Sequence, residues 1–459
     1  MKKRLRLTIV HPCIGRRIGQ RYMRTWQMEP LPAAVLAALT PDNVDIKLYD
    51  DRMEPIPYDE PTDLVALSVE TYTAKRAYQI ASEYRRRGVP VIMGGFHASL
   101  VPDEVARYAE SVVVGEVEGG LWERVLDDWQ NGTPAKVYRQ DQRPTLGGFF
   151  PKRDLYRDRK YLPVRLVEVG RGCEFRCEFC AIQTVFNSSY RRRPLDEIVR
   201  ELTELSRTDK GKLFFFVDDN FIAHPKEAKE VLEAIAPLGL RWVSQASINL
   251  AHDEELLSLV AKSGCAGLLI GFESLEEKNL EQMGKRFNTM KGGFEVALAN
   301  LARHKIRLYG TFLFGYDHDT AETVRRTVAF AKEHALYIAA FNHATPFPGT
   351  ALYKRPEKEG RFLYDKWWLD ENYSYAKVPF QPTSISADDL HKACVAARKS
   401  FYSIPSILQR GMAAHNRADS AMFKAFFPIN LMHTFEVKKR VHHPLGDVSF
   451  QGPLLEATR

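Results

Sequence analysis

Three of the six cysteines of this 459-residue chain fall within eight positions, at Cys173, Cys177 and Cys180 of the stretch "RGCEFRCEFC". That spacing lets one short loop present three thiolates to one metal centre. A structural zinc takes four protein ligands, usually as two separated pairs, and no CxxC or HxxxH partner appears elsewhere in the chain. Glu174, Arg176 and Glu178 make the loop polar, which argues against a buried, inert set of thiols. Iron–sulfur clusters are held by cysteine thiolates, normally four of them. Three thiolates leave one iron open to a ligand that is not protein, so the missing fourth cysteine is the functional feature.

Two runs of β/α alternation must position this loop. Over residues 1–135, "RLTIV", "VDIKLYD", "LVALSV", "VPVIMGG" and "SVVVGE" read as strands buried on both faces. Between them, "LPAAVLAAL", "AKRAYQIASEYRRRG", "DEVARYA" and "LWERVLDDWQ" read as helices. The pattern predicts an α/β front domain, a doubly wound, flavodoxin-like parallel sheet whose ligand site lies beyond the carboxyl ends of its strands. Residues 136–162, with scattered proline, arginine and glycine, read as a linker. A second alternation covers 163–355, with strands "RLVEVG", "KLFFFVDD", "RWVSQASI", "AGLLIGFE", "RLYGTFLFG" and "YIAAFNHAT" and helices starting near Pro194, Pro225, Asp253, Thr289 and Thr320. Six βα units predict a partial (β/α)6 barrel with chemistry at the carboxyl ends of its strands, and the cysteines follow its first strand. Residues 356–459 read as a mostly helical tail that caps the substrate side.

CxxxCxxC at the end of the first strand of a six-unit partial barrel resembles the radical SAM superfamily, with Phe179 in the aromatic place before the last cysteine. The resemblance implies a [4Fe-4S] cluster on Cys173, Cys177 and Cys180, with S-adenosylmethionine chelating the open iron. It also implies one-electron cleavage to a 5′-deoxyadenosyl radical, fed by a donor such as flavodoxin or ferredoxin. By position, Asp218, Asp219 and Asn220 ("VDDN") match the motif for the SAM amine, each with a helix N-cap as its alternative. Ser247 or Asn249 ("QASIN") would meet the ribose, and Glu273 ("GFES") would face SAM. Lys285 or, as the site residue expected here, Arg286 ("MGKRFN") would pair with the SAM carboxylate, against a solvated helix-end charge. Asp317, His318 and His343 would line the substrate end, with a satisfied structural histidine as the alternative.

The front domain resembles the cobalamin-binding domains that precede the barrel in a large radical SAM subgroup. The strand-end loops "SVET", "GGFHAS" and "VVVGEVEG" match, placing Ser68, Gly94, Gly95, Gly115 and Glu116 beside the cofactor. One departure is plain. The cobalt-ligand motif Asp-x-His-x-x-Gly is missing, for the first loop reads "HPCIGRRIGQ" and "DDRMEPI" carries no histidine. Either cobalamin binds without a histidine ligand or the domain keeps the fold alone, and His97 is not a substitute by motif. The front domain has only Cys13 and the tail only Cys394, which excludes the cysteine sets of methylthiotransferases and of auxiliary-cluster subfamilies.

The leading reading is therefore an enzyme that functionalises an unactivated carbon of a small or lipid-like metabolite, with methyl transfer the natural outcome if cobalamin is bound. The alternatives are a cobalamin-free radical SAM enzyme that closes or rearranges rings, and a cobalamin or metal sensor without turnover. Trp367, Trp368, Tyr373 and Tyr375 either cap the substrate opening or pack the tail. A formal charge of +7 with no long lysine–arginine block gives no argument for nucleic acid. Sparse cysteine and the absence of a membrane-length apolar run or a signal-peptide pattern lead to a cytoplasmic expectation.

Overall fold

The computed structural model describes residues 4–140, 142–209, 212–289 and 292–457, so Met1–Lys3 of the basic start lie outside the described residues. The chain forms two compact units. The first comprises residues 1–162, 364–375 and 443–459, and the second 163–363 and 376–442.

The first unit is built on six parallel strands: β1 (Leu5–His11), β2 (Val44–Asp50), β3 (Leu64–Ser68), β4 (Val91–Gly94), β5 (Ser111–Val114) and β6 (Val137–Arg139). Their order across the sheet is β2-β1-β3-β4-β5-β6. The five expected strands are present, and β6 is an addition from the stretch read as a linker. Its register with β5, Val112↔Val137 to Val114↔Arg139, extends the sheet by three residues. Tyr138, fully buried, anchors it, and three residues with one inward side chain give no alternation to read in the sequence. Order reverses between β1 and β3, the switch point of a doubly wound sheet. The aromatic segment 364–375 packs into this unit. Trp367 and Trp368 are buried, and Trp367 lies 5.0 Å from the Tyr72 ring. Tail residues Gly446–Asp447 pair in parallel with Gly15–Arg16.

Glu104 ties the aromatic segment down. Its carboxylate accepts from Tyr78 Oη (3.0 Å) and Trp368 Nε1 (2.9 Å) and pairs with Lys366 Nζ (3.0 Å). His97 Nε2 lies 3.2 Å away, and the other ring nitrogen is 3.2 Å from Thr71 Oγ1. Burial pushes the Glu104 carboxyl up, but its partners His97, Trp368 and Lys366 prevail and hold it at about 2.

The second unit carries β7 (Val164–Val167), β8 (Leu213–Phe216), β9 (Trp242–Ala246), β10 (Cys265–Glu273), β11 (Arg307–Phe314) and β12 (Ile338–His343). All are parallel in the order β12-β11-β10-β9-β8-β7, which is the expected partial barrel. Helices Leu195–Thr208, Pro225–Ile235, Glu254–Lys262, Gly293–Arg303 and Ala321–Glu333 alternate with them. Buried Phe272, Phe312 and Phe341 stack across three adjacent strands at 5.4 and 5.5 Å. The described tail adds helices Ala387–Phe401, Ile404–Gly411 and Ser420–Arg440.

Removing one partner from a buried, hydrogen-bonded charge cluster costs about 3 kcal/mol. E104A should therefore lower the stability of the front unit by about that amount, read from urea unfolding by tryptophan fluorescence. Because the Glu104 pKa lies below its ordinary value, its contribution is complete above about pH 4.5 and lost as pH falls toward about 2. The stability gap between wild type and E104Q should shrink over that window; a gap that is flat with pH would remove Glu104 as the hub.

Candidate functional site

The cysteine loop leaves β7 and is closed at its base by a short antiparallel ladder, Gly170–Gly172 against Tyr190–Arg192. Glycine is required at both ends of that ladder. A Cβ on Gly170 would lie 2.4 Å from Tyr190 Oη, and one on Gly172, whose φ is +91°, would lie 2.0 Å from the Ser189 carbonyl oxygen. The cysteines are free thiols, Cys177 buried and the other two half-buried. Cys173 Sγ accepts from the Phe175 amide and, at 3.7 Å, from Asn220 Nδ2. Cys180 Sγ accepts from the Gln183 and Ile182 amides. Burial pushes all three thiols up, Cys177 to about 12, while the nearby Lys285 ammonium pulls Cys173 and Cys177 down.

This donor set fits an iron–sulfur cluster. Amides and a carboxamide aimed at sulfur stabilise thiolates and tune a bound cluster. Among the described residues no three His, Cys, Asp or Glu side chains converge on one metal ion. A cluster that takes one thiolate per iron does not ask them to.

The ends of β8, β9 and β10 surround the loop. Asp218, fully buried, receives the Val169 and Gly170 amides, so both its oxygens are committed to the chain leaving β7. Asp219 receives the Gly172 amide at 2.8 Å, and burial raises its carboxyl to about 6. Asn220 reaches from Cys173 to Ser247, donating to Ser247 Oγ and accepting from its amide, each at 3.2 Å. Asn249 carries a buried side-chain oxygen with no hydrogen-bond partner among the described residues, an acceptor ready for a ligand donor. Thus Cys173, Asn220 and Ser247 stand together.

At β10 the strand bulges, Gly271 pairing with Thr311 and Glu273 with Phe312. Glu273 takes a left-handed φ of +62°, unusual for a non-glycine residue. Its carboxylate meets Lys285 Nζ at 3.1 Å, and Lys285 also donates to the Gly271 carbonyl at 3.0 Å. A Cβ on Gly271 would lie 2.2 Å from the Glu273 carboxylate, so that glycine makes room for the pair. Lys285 lies 6.0 Å from the centroid of the Phe179 ring.

The expectation at Arg286 is corrected. Its side chain is 74% exposed and pairs with Glu281, whereas that of Lys285 is 9% exposed. Gly284, with φ +76°, turns the chain against the cysteine loop, and the next side chain is the one delivered inward.

Asp317 is already engaged by Gln282 (2.7 Å), Thr383 (2.9 Å) and Arg355 (3.1 Å). Arg355 also reaches Glu178 of the cysteine loop at 3.2 Å, a clamp the sequence did not signal because it pairs residues 177 positions apart. The His318 amide donates to Asn279. His343 is buried, and burial lowers it to about 3.

In the front unit, Ser68 and Gly94 are register partners, and Gly115 ends the neighbouring strand. Gly95, φ +98°, turns so tightly that a Cβ would lie 2.8 Å from the Val69 carbonyl oxygen. The Gly115 amide donates to Ser99 Oγ at 2.9 Å, and Glu116 lies 3.7 Å from Arg143. His97 gives these strand ends no imidazole, because both ring nitrogens of that buried residue face Thr71 and Glu104. A cobalamin held here would take no cobalt ligand from His97.

The Radical SAM superfamily profile matches residues 167–331. The bacteriochlorophyllide d C-12(1)-methyltransferase of Chlorobaculum tepidum is 30% identical over 390 residues, spanning 83% of this chain and 84% of that one. The C-8(2)-methyltransferase of the same organism is 28% identical over 351 residues, spanning 72% and 77%. The solved structure of the radical S-adenosylmethionine methyltransferase TsrM from Kitasatospora setae, with cobalamin and a [4Fe-4S] cluster bound, superposes with a TM-score of 0.58 at 19% identity and covers 78% of each chain. The profile runs through the cysteine loop and the first of these relatives is 30% identical over most of both chains: the chain is a radical SAM enzyme, of the superfamily's subgroup in which a cobalamin-binding-type domain precedes the barrel.

Proposed function

We propose that this enzyme transfers a methyl group to an unactivated carbon of a bulky, largely apolar metabolite of the tetrapyrrole class, using a cobalamin held at the strand ends of the front unit. The observation that supports it is the extent of likeness to two bacteriochlorophyllide d methyltransferases, which runs through the front unit as well as the barrel. When bound, the cluster with S-adenosylmethionine supplies a 5′-deoxyadenosyl radical able to take hydrogen from such a carbon, and cobalamin supplies a transferable methyl group.

The chain's own residues hold and orient. Cys173, Cys177 and Cys180 ligate three irons, and Asn220 keeps Cys173 in place while ordering Ser247. Asp219 and the unpaired oxygen of Asn249 accept from the ammonium and ribose of SAM, and the Glu273–Lys285 pair faces its charged end. A small flavodoxin or ferredoxin delivers the electron. Among the described residues no helix is long and apolar enough to cross a membrane, and we place the enzyme in the cytoplasm. A second reading, the front unit as scaffold for a cobalamin-free reaction, draws on the committed state of His97.

Three measurements separate these readings. In anaerobically reconstituted protein with SAM and dithionite, C173A, C177A or C180A should abolish 5′-deoxyadenosine. N220A should reduce it about 10–100-fold at near-normal iron content, as loss of an outer-shell partner does; full activity in a cysteine variant would refute the ligand set. Protein made with cobalamin supplied should retain it, and its visible spectrum should be the same in H97Q as in wild type. A colourless front unit would favour the scaffold reading. Finally, methyl-labelled SAM with a chlorophyllide-type tetrapyrrole should yield a product heavier by one methylene unit. Cleavage of SAM without any such product would set the tetrapyrrole assignment aside.

A further inference from the structure

A concavity lies at the end of the barrel sheet opposite the cysteines. It has a volume of about 550 Å³ and opens at the amino-terminal ends of β8, β9, β10 and β11, where Phe214, Arg241, Ala266 and Arg307 line it. That volume is in the range of small-molecule sites. None of the residues argued above for SAM, cluster or cobalamin takes part.

Its charge is unbalanced. Lys212, Arg241, Lys305 and Arg307 face it with two carboxylates, Asp209 and Asp419. Asp209 is shared between Lys212 (2.8 Å) and Arg165 (2.6 Å). Asp419 caps the amino end of helix Ser420–Arg440 through the Met422 amide and stands 3.5 Å from Arg241. Helices Leu195–Thr208, Glu254–Lys262 and Gly293–Arg303 end near this face, and their carbonyls account for part of the positive charge.

They do not account for Arg307. That side chain is only 4% exposed, its Nη1 donates to the Ala266 carbonyl at 3.2 Å, and its Nε and Nη2 are buried with no hydrogen-bond partner among the described residues. Nε and Nη2 form the edge of a guanidinium that grips a carboxylate or phosphate with two parallel bonds. At two other buried arginines that edge is filled by a single carboxylate. Arg76 gives it to Asp51 at 2.8 and 2.9 Å, and Arg52 gives it to Asp50 at 2.9 and 2.7 Å. The fold also makes room for Arg307 at this position. Its register partner on β10 is Gly267, where a Cβ would lie 2.9 Å from the Arg307 carbonyl oxygen and 3.3 Å from its Cβ.

We propose that this cavity binds a small organic anion, whose carboxylate or phosphate head takes the Nε–Nη2 edge of Arg307 and whose apolar body lies against Phe214, Leu240 and Ala266. Arg241, more exposed, adds charge at the rim.

The test uses the full-length, cluster-loaded protein at constant ionic strength, with inorganic phosphate and hexanoate as separate probes in scanning calorimetry. At least one probe should raise the melting temperature of wild type by about 3 °C near a hundredfold excess over its dissociation constant. R307M should lose the response, and without anion it should melt no lower than wild type, because an apolar chain of similar length replaces an unpaired buried charge. R241Q should keep the fold and bind about tenfold more weakly, the loss expected of one charge-assisted contact. The proposal is overturned if neither probe shifts wild type, or if R307M responds as wild type does. Should R307M fail to fold, undiminished affinity in R241Q overturns it as well.

Discussion

The cysteine loop exists in one shape because two neighbouring carboxylates receive its backbone amides. Asp218 and Asp219, at the end of β8, accept from Val169, Gly170 and Gly172. A buried amide left without an acceptor costs on the order of 1–3 kcal/mol, so these bonds decide where the chain turns after β7. Burial works against them by raising both carboxyls, and the amides pull the other way. Register between β7 and β8 thereby becomes loop geometry, and loop geometry places three sulfurs. The Gly170–Gly172 ladder completes the enclosure, since a side chain at either end would meet Tyr190 or Ser189.

The other wall is set by strain. A left-handed glutamate costs on the order of 1 kcal/mol and persists where its surroundings over-determine it. At Glu273 the surroundings are a bulge in β10, an ion pair to Lys285, and a glycine at 271 that leaves room for both. Lys285 is in turn fixed by a turn at Gly284 that packs on the Arg176 carbonyl. Wall and cysteine loop are mechanically one object, because the Glu178 amide donates to Met283 and Arg355 bonds Glu178. The electrostatics follow: one buried ammonium acts on Cys173 and Cys177 together.

The sheets were legible because parallel strands buried on both faces leave continuous β-branched runs, and helices between them carry their own start signals. The cysteine spacing and the strand-end motifs "VDDN", "QASIN" and "GFES" were legible because strand ends sit where chemistry sits in such sheets. The choice between Lys285 and Arg286 was not, since it depends on a single positive φ at Gly284. Arg355 was invisible because no local pattern links it to Glu178. The aromatic segment 364–375 lay open between capping and packing. Its membership of the front unit rests on contacts to Tyr72, His97 and Glu104 across more than 260 positions of chain.

The committed state of His97 carries the argument about cobalt. An imidazole that ligates metal must present a free ring nitrogen and hold the other by a partner. His97 has partners on both, and it is enclosed with Trp368, 5.6 Å away ring to ring, inside the cluster that anchors residues 364–375. Freeing it would break that anchor, so the residue cannot serve two purposes. His11, at the end of β1, lies among Asp50, Asp51 and Arg52, and burial lowers it to about 4, which keeps its ring neutral. The missing loop motif and the committed buried histidine are independent facts, one of sequence and one of packing. Together they take His97 out of the set of possible cobalt ligands and leave it to the packing of residues 364–375.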